Sequence, residues 1–454
     1  MKSVDLGKDQ VLPLVLKLAL PTMLAQFVNV LYTIVDRMFI GHIPGIGTLS
    51  LAGVGVCGPI ISVLYAFAYL VGQGGTPLMA MQMGAGNLKS AKEILSNCFR
   101  ILLVLGLSLT ILFLIFRKRF LWWFGVSSAT YPYALSFLTI YIYGTVFALI
   151  SGGLNSFLIA QGHSGLGVTT VLIGALLNVS LDPILIFVCH LGVAGAAYST
   201  IFSQIISALF ALFCLCFWDL PVNLTWGHFR PDLCIKIIGL GLAPFLTYAL
   251  DSCLLILLNT TLQRTGGVGL GDRLVTTATI IQSYLLLVTS PLSGITLGCQ
   301  GIVSFNFGAK DFKRVKNALW CVYLVCLSFC SIIFLITIFA SPYFVRLFTN
   351  DSPLITQTVT ALKIYLAAVL CMAAQWTVTD MGIAMGQMKM ALFCSLLRKA
   401  LYIAGVLILP FLFTPQAAFF AQPLCDGVTS IISIIIFFRI LSKILVPNQE
   451  IEQT

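Results

Sequence analysis

The chain is written in long apolar runs separated by short polar breaks. Stretches long enough to cross a bilayer as helices fall near residues 14–41, 49–83, 91–116, 131–160, 165–188, 192–217, 233–263, 273–307, 314–340, 354–386, 388–412 and 417–441. Twelve spans are therefore predicted. Several exceed the length of a straight crossing, so tilt or kinks are expected, and Pro59, which leaves the Gly55 carbonyl without its donor, marks one kink. Most breaks are short, such as His42 to Thr48. The longest polar stretch, Trp218 to Asp232, carries Pro221, Asn223, Gly227 and Pro231 and separates six spans from six. This predicts lobes at 1–218 and 232–454 joined by a linker at 219–231.

An internal repeat supports the division. Pro21 stands fifteen residues before Asp36, and Pro244 fifteen before Asn259. Gly84-Ala85 recurs as Gly308-Ala309, each before a basic segment, and Ile159-Ala160-Gln161-Gly162 recurs as Ile383-Ala384-Met385-Gly386. The shift is 223 or 224 residues throughout. Six spans per repeat is an even number, so both halves enter from the same side and should be related by an axis along the membrane normal. The expected fold is an all-α integral membrane protein of two six-helix bundles around a central pathway.

Composition agrees with the pattern. The 454 residues are 59% hydrophobic and 9% charged, against about 25% charged in soluble domains, which excludes a soluble protein. The net charge of +10 reads as loop bias rather than nucleic-acid binding. With the N-terminus inside, fifteen Lys and Arg residues fall at cytoplasmic ends and six outside, so both termini are expected in the cytoplasm of a cell (inner or plasma) membrane protein. The Arg117-Lys118-Arg119 cluster runs against that bias. The fourteen cysteines lie mostly in apolar runs without a CxxC pair or a Cys/His cluster, as small buried hydrophobes do.

Charges inside spans are costly and are normally paired, hydrated or functional. Five acids lie there: Asp36, Asp182, Asp251, Asp380 and Asp426. Asn178 precedes Asp182 by four residues, on the same helix face. Pro183 cannot donate to the Val179 carbonyl, which frees a further oxygen. Together with Asn155 and Thr200 on the flanking spans, these are oxygen ligands for a hard cation such as Na⁺, or a seat for a proton. Asp36 is followed by Arg37, and its repeat partner is the neutral Asn259, so the halves are not chemically equivalent. In the second half, Arg398 and Lys399 sit about ten residues into their span and call for acidic partners. Asp251, Asp380, Arg398 and Asp426 are candidates to line a substrate cavity.

Taken together, Val35-Asp36-Arg37-Met38-Phe39-Ile40-Gly41-His42, Gly72-Gln73-Gly74-Gly75, Gly84-Ala85-Gly86, Asn178-Val179-Ser180-Leu181-Asp182-Pro183 and Ser395-Leu396-Leu397-Arg398 resemble the multidrug and toxic compound extrusion (MATE) family, and within it the bacterial DinF-like branch. The resemblance covers essentially the whole chain. It implies a V-shaped pair of bundles working by alternating access as a monomer. It also implies export of amphipathic, often cationic organic molecules against Na⁺ or H⁺, with no cofactor beyond the coupling ion and no partner beyond substrate and membrane lipid. It implies a cation site at Asp36, Asn155, Asn178, Asp182 and Thr200, with Na⁺ possible at Asp36, Asn178, Asp182 and Thr200. A second-lobe site described for another branch wants acids in spans seven and ten; Asp251 and Asp380 are there in a different register. A flippase of lipid-linked sugars or lipids from the same superfamily is the alternative, distinguished by a more cationic cavity. An enzyme is not expected, since the loops are short and the four His residues are scattered.

Overall fold

The computed structural model describes residues 5–267, 270–349 and 351–445. Lys2, counted in the charge bias, and the outermost residues of both predicted lobes lie outside the described residues. The first half comprises α1 (Val11–Gly41), α2 (Gly47–Gly84), α3 (Leu88–Trp123), α4 (Tyr131–Tyr143), α5 (Thr145–Ala160), α6 (Ser164–Pro183) and α7 (Val193–Phe217). The second comprises α8 (Pro231–Gly266), α9 (Leu270–Gly308), α10 (Phe312–Arg346), α11 (Ser352–Tyr365), α12 (Val369–Ala384), α13 (Met388–Leu412) and α14 (Ala421–Leu445). A π turn at Ile184–Val188 extends α6, and a 3₁₀ turn at Pro415–Phe420 leads into α14.

Ten of these are long and apolar enough to cross a membrane singly. The other two crossings are bent: α4 and α5 meet at 58°, and α11 and α12 at 44°. With each bent pair taken as one crossing, the described residues give twelve spans, as predicted, but the stretches at 131–160 and 354–386 are each two helices rather than one. At the first bend Gly144 lies against Ile201, where a Cβ would come within 2.6 Å of the isoleucine side chain. The outward faces carry exposed apolar side chains, Val104, Leu107, Ile111 and Ile115 on α3 and Ile332, Leu335 and Phe339 on α10. A continuous apolar surface of this kind is what lipid requires.

The repeat predicted from the sequence reappears in the backbone. Asn87 and Asp311 cap α3 and α10 in the same way, accepting from the N–H groups of Ser90 and Arg314. Gly162 and Gly386 occupy equivalent left-handed positions, at φ +83° and +73°.

Among the described residues two large hydrophobic cores form, beside a small cluster of Leu240, Ala243, Ile383 and Ala391, and each large core borrows from the other half. Leu14, Val15, Leu18 and Ala19 of α1 belong to the core built from α8 to α14, while Leu233 and Ile237 of α8 belong to the core of α2 to α7. Each half thus opens with a helix whose start leans on the other. Pro21 and Pro244 come just after these shared segments.

Where the halves meet, glycines let backbones touch. A Cβ on Gly84 would collide with the Phe305 carbonyl, and one on Gly308 with the Met81 carbonyl. These contacts are related by the 224-residue repeat in both directions, the signature of an approximate two-fold axis between the ends of α2 and α9. Gly74 against Ile237 and Gly241, Gly241 against Leu70, Gly294 against Thr22 and Gly298 against Leu18 extend the seal. All lie toward the end of the molecule that carries the start of α1 and the linker. Close glycine-mediated approach stands in for a hydrophobic driving force that lipid does not supply.

The linker is itself fastened. Asn97 of α3 donates to the His228 carbonyl at 3.1 Å and accepts from the Arg230 N–H at 3.0 Å. Ser96 accepts from the Gly227 N–H, and Gln161 from the Val222 N–H.

Candidate functional site

Five residues were expected to form a cation site in the first half, and the structure brings four of them toward one place. Asp182 is wholly buried and its Oδ1 accepts from the Ser199 hydroxyl. Asn178, one turn earlier, donates from Nδ2 to Ser199 Oγ at 3.1 Å and to Thr200 Oγ1 at 3.4 Å. Asp36, near the end of α1, brings its carboxyl group beside that of Asp182. The arrangement leaves three buried oxygens, Asp36 Oδ1, Asn178 Oδ1 and Asp182 Oδ2, with no hydrogen-bond partner. Buried acceptors are almost always satisfied, so three orphans in one cluster mark a place for a proton or cation.

The local sequence explains the site's shape. Pro183 has no N–H to offer Val179, and the N–H of Ile184 turns to Leu181 instead. The chain then widens into the π turn, a departure common where helices carry function. Neither residue 183 nor residue 184 donates to the Val179 carbonyl, as expected.

Asn155 lies elsewhere. The α5–α6 hairpin turns at Gly162, which sets Asn155 Oδ1 beside Gly167 rather than beside Asn178. Gly167 is eleven residues before Asn178, about 16 Å along α6 at 1.5 Å per residue. Ser199, the neighbour of the expected ligand Thr200, takes the central position instead. It bridges Asn178 and Asp182, and its only advance signal was one more small hydroxyl residue on α7.

In the second half the ionisable residues separate into pairs. Arg398 Nε donates to Asp426 Oδ1 at 2.8 Å, and Gln422 Nε2 donates to Asp426 Oδ2 at 2.8 Å. Lys399 closes onto Asp251. The acidic partners expected for both cations are therefore present. Asp380 stands apart from these pairs and accepts from Thr296 Oγ1 at 2.5 Å. Of the four cavity candidates, Asp380 and Arg398 line a cleft between the halves, with Lys399 beside them. Asp426 sits buried behind Arg398, and Asp251 reaches the cleft only through Lys399.

That cleft adjoins the glycine seal. It is narrow, with a free volume of about 50 Å³, and its walls carry Gln26, Gln73, Gln300 and Gln375. Across it Tyr69 of α2 stacks on Tyr248 of α8, rings 4.0 Å apart and 10° from parallel. Among the described residues no three His, Cys, Asp or Glu side chains converge. The chemistry on offer is oxygen ligation, charge and aromatic contact.

Comparison with known proteins places this architecture. A family model for MatE matches residues 21–184 and 247–408. The multidrug export protein MepA of Staphylococcus haemolyticus is 23% identical over 432 residues, 95% of this chain and 94% of its own. MepA of Staphylococcus aureus is 23% identical across 98% of this chain and 97% of its own. Among solved structures, an outward-facing multidrug resistance MATE family transporter of the MOP superfamily superposes with a TM-score of 0.90 at 20% identity, covering 98% of this chain and 99% of that one. A MOP superfamily transporter from Pyrococcus furiosus, described as having reversed polarity in its binding pocket, gives 0.90 at 19% identity over 98% and 100%. With the family model spanning most of the chain and the twelve-span repeat fold shared end to end, this protein is a member of the multidrug and toxic compound extrusion (MATE) family.

Proposed function

We propose that the chain is a secondary active exporter of amphipathic, often cationic organic molecules, exchanging them for Na⁺ or H⁺ by alternating access. The observation that carries this reading is the cluster of three unpartnered buried oxygens at Asp36, Asn178 and Asp182. The relatives named as multidrug export proteins support the substrate class. The bias of Lys and Arg toward one side supports a plasma-membrane protein with both termini in the cytoplasm. On that orientation the glycine seal closes the cytoplasmic end and the cleft belongs to an outward-facing state. The protein works as a monomer and needs no cofactor.

Coupling follows from charge. Two adjacent carboxylates out of water are costly to keep ionised together, so the emptied lobe takes a cation from the medium. Antiport then requires ion and drug to prefer different conformations, and reciprocity makes each weaken the other's binding by the same factor. The test is uptake of a fluorescent cationic drug into everted vesicles under an imposed Na⁺ gradient or an imposed pH gradient. Uptake driven by at least one, and abolished in Asp182→Asn, is expected. Uptake indifferent to both would leave a uniporter or flippase as the better account.

A further inference from the structure

The basic run Arg117-Lys118-Arg119, which stands against the charge bias, plays no part in the cation site or the cleft. It lies at the end of α3, whose beginning fastens the linker through Ser96 and Asn97. The cluster is therefore on the opposite side of the membrane from the linker. No acid offsets it. None occurs in the sequence between Glu93 and Asp182, and no ion pair reaches any of the three among the described residues. Arg117 is half-buried, with Nη1 on the Leu114 carbonyl at 2.6 Å and a buried Nε that has no partner. Lys118 and Arg119 are exposed. The fold does not require charge there, since the second half carries Ser341, Pro342 and Tyr343 at the positions 224 residues on.

Position on the helix shows what meets these cations. Val104, Leu107, Ile111 and Ile115 are exposed and recur every three or four residues, so they form one lipid-facing stripe along α3. Lys118 and Trp122 continue that stripe at the same spacing, and Lys118 lies about 4.5 Å beyond Ile115 along the axis. Beside them the Arg119 guanidinium sits 6.0 Å from the centre of the Phe116 ring, and Trp122 stacks on Tyr131 of α4 at 5.5 Å and 22°. Exposed Trp and Tyr at a span's end settle at the level of the lipid headgroups.

We propose that the end of α3 is a docking site for an anionic phospholipid, its phosphate on Lys118 and Arg119 and an acyl chain along Ile111 and Ile115. Charge-assisted hydrogen bonds to phosphate oxygens use donors that the protein leaves unspent, and the Trp122–Tyr131 stack bounds the headgroup. A soluble polyanion would meet the cations but not the apolar stripe. A zwitterionic lipid would meet the stripe without a net charge to attract it. The leaflet, outer on the orientation proposed above, rests on that reading; the binding does not.

Trp122 and Trp123 are reporters in place, because the other four tryptophans lie at the end of α7, in the linker, on α10 and on α12. The purified full chain is reconstituted in phosphatidylcholine vesicles with rising fractions of phosphatidylglycerol or phosphatidylcholine that carry dibrominated acyl chains. The quenching that disappears in a Trp122→Phe, Trp123→Phe variant is the local signal. Phosphatidylglycerol should bind about 25-fold more tightly than phosphatidylcholine, about fivefold for each exposed cation. Lys118→Gln with Arg119→Gln should make the two lipids equivalent, whereas Lys118→Arg with Arg119→Lys should keep the preference. Excess inorganic phosphate should not relieve the quenching, since it has no acyl chain to lay on the stripe. Should the glutamine variant reconstitute poorly, high salt should collapse the preference in the wild type. Equal binding of the two lipids by the wild type, a preference that survives loss of both cations or high salt, or relief by inorganic phosphate would overturn the proposal. The vesicles hold each lipid in both leaflets and the signal needs no transport, so the outcome is separate from that of the export test.

Discussion

The glycine seal makes a quantitative claim about which state the protein prefers. Replacing Gly308 by Ala puts a methyl group into the Met81 carbonyl, and replacing Gly84 by Ala puts one into the Phe305 carbonyl. The obstacle is backbone in both cases, so no side-chain rotation relieves it, and α2 and α9 must move apart. Overpacking of this kind costs about 1–3 kcal/mol. That cost falls on the closed seal and not on a state in which the halves have separated. At about 1.4 kcal/mol per factor of ten, the population with the seal open should rise about 5- to 150-fold. Cys299 is a built-in reporter: it is completely buried on α9 with its Sγ 3.9 Å from the Val15 carbonyl of α1, inside the joint between the halves. Alkylation of Cys299 by N-ethylmaleimide, followed by peptide mass spectrometry, should accelerate by that factor in both variants. Because the approximate two-fold relates the positions, the two accelerations should be similar. Gly58→Ala is the control, since nothing lies within 4 Å of a Cβ there and Ala favours the helix. Unchanged alkylation in both seal variants, or equal acceleration in Gly58→Ala, would refute the reasoning.

Other consequences can be checked alongside. Asp36→Asn, like Asp182→Asn, should abolish ion-dependent drug binding while thermal stability stays near wild type, measured by titrating a bound fluorescent drug with Na⁺ and with acid. Asn178→Leu removes one orphan oxygen and the donor to Ser199 and Thr200; Na⁺ dependence should weaken while any proton response survives, and full Na⁺ dependence in that variant would favour a proton-only mechanism. Asp251→Asn strands the buried Lys399. It should destabilise the protein by about 2 kcal/mol, less than the 3–5 of a fully buried pair because the Asp251 side chain is 55% exposed. Adding Lys399→Met should restore most of the loss in a thermal unfolding assay.

Much of this was legible in the residues, and the gaps have physical causes. Hydropathy locates spans well because lipid imposes a length, and the repeat survived because turn and cap positions tolerate few substitutes. Hydropathy cannot see a bend, since the residues on either side of Gly144 are as apolar as those of a straight span. The pair Asn178 and Asp182 was readable from one-turn spacing alone. The placement of Asn155 was not, because it depends on where the α5–α6 hairpin turns rather than on any local pattern. Ser199 was hidden by abundance: α7 carries several serines, and only the neighbouring helix selects one. The partners of Arg398 and Lys399 were demanded by cost, but their identities required the packing of α8, α13 and α14. The Arg117 cluster, which defied the charge bias, is partly absorbed locally, since Arg117 Nη1 donates to its own helix at the Leu114 carbonyl.

The crossing of first helices also shapes how the chain is made. The Leu6 carbonyl accepts from Asn306 Nδ2 at 3.0 Å and from Arg314 Nη2 at 3.1 Å, partners synthesised some three hundred residues later. The segment around Leu6 is thus synthesised long before its final neighbours and is among the last to reach them. In water such a delay would invite aggregation, but in a bilayer it costs little, because acyl chains solvate leucine and valine about as well as another helix does. Leu14, Val15 and Leu18 can wait in lipid, and Thr22 waits without penalty because its hydroxyl bonds to the Leu18 and Ala19 carbonyls of its own helix. Assembly of the halves is then a late zipping of two inserted bundles along α1–α9 and α2–α8. Separately translated halves, cut within the linker, should find each other in the same membrane.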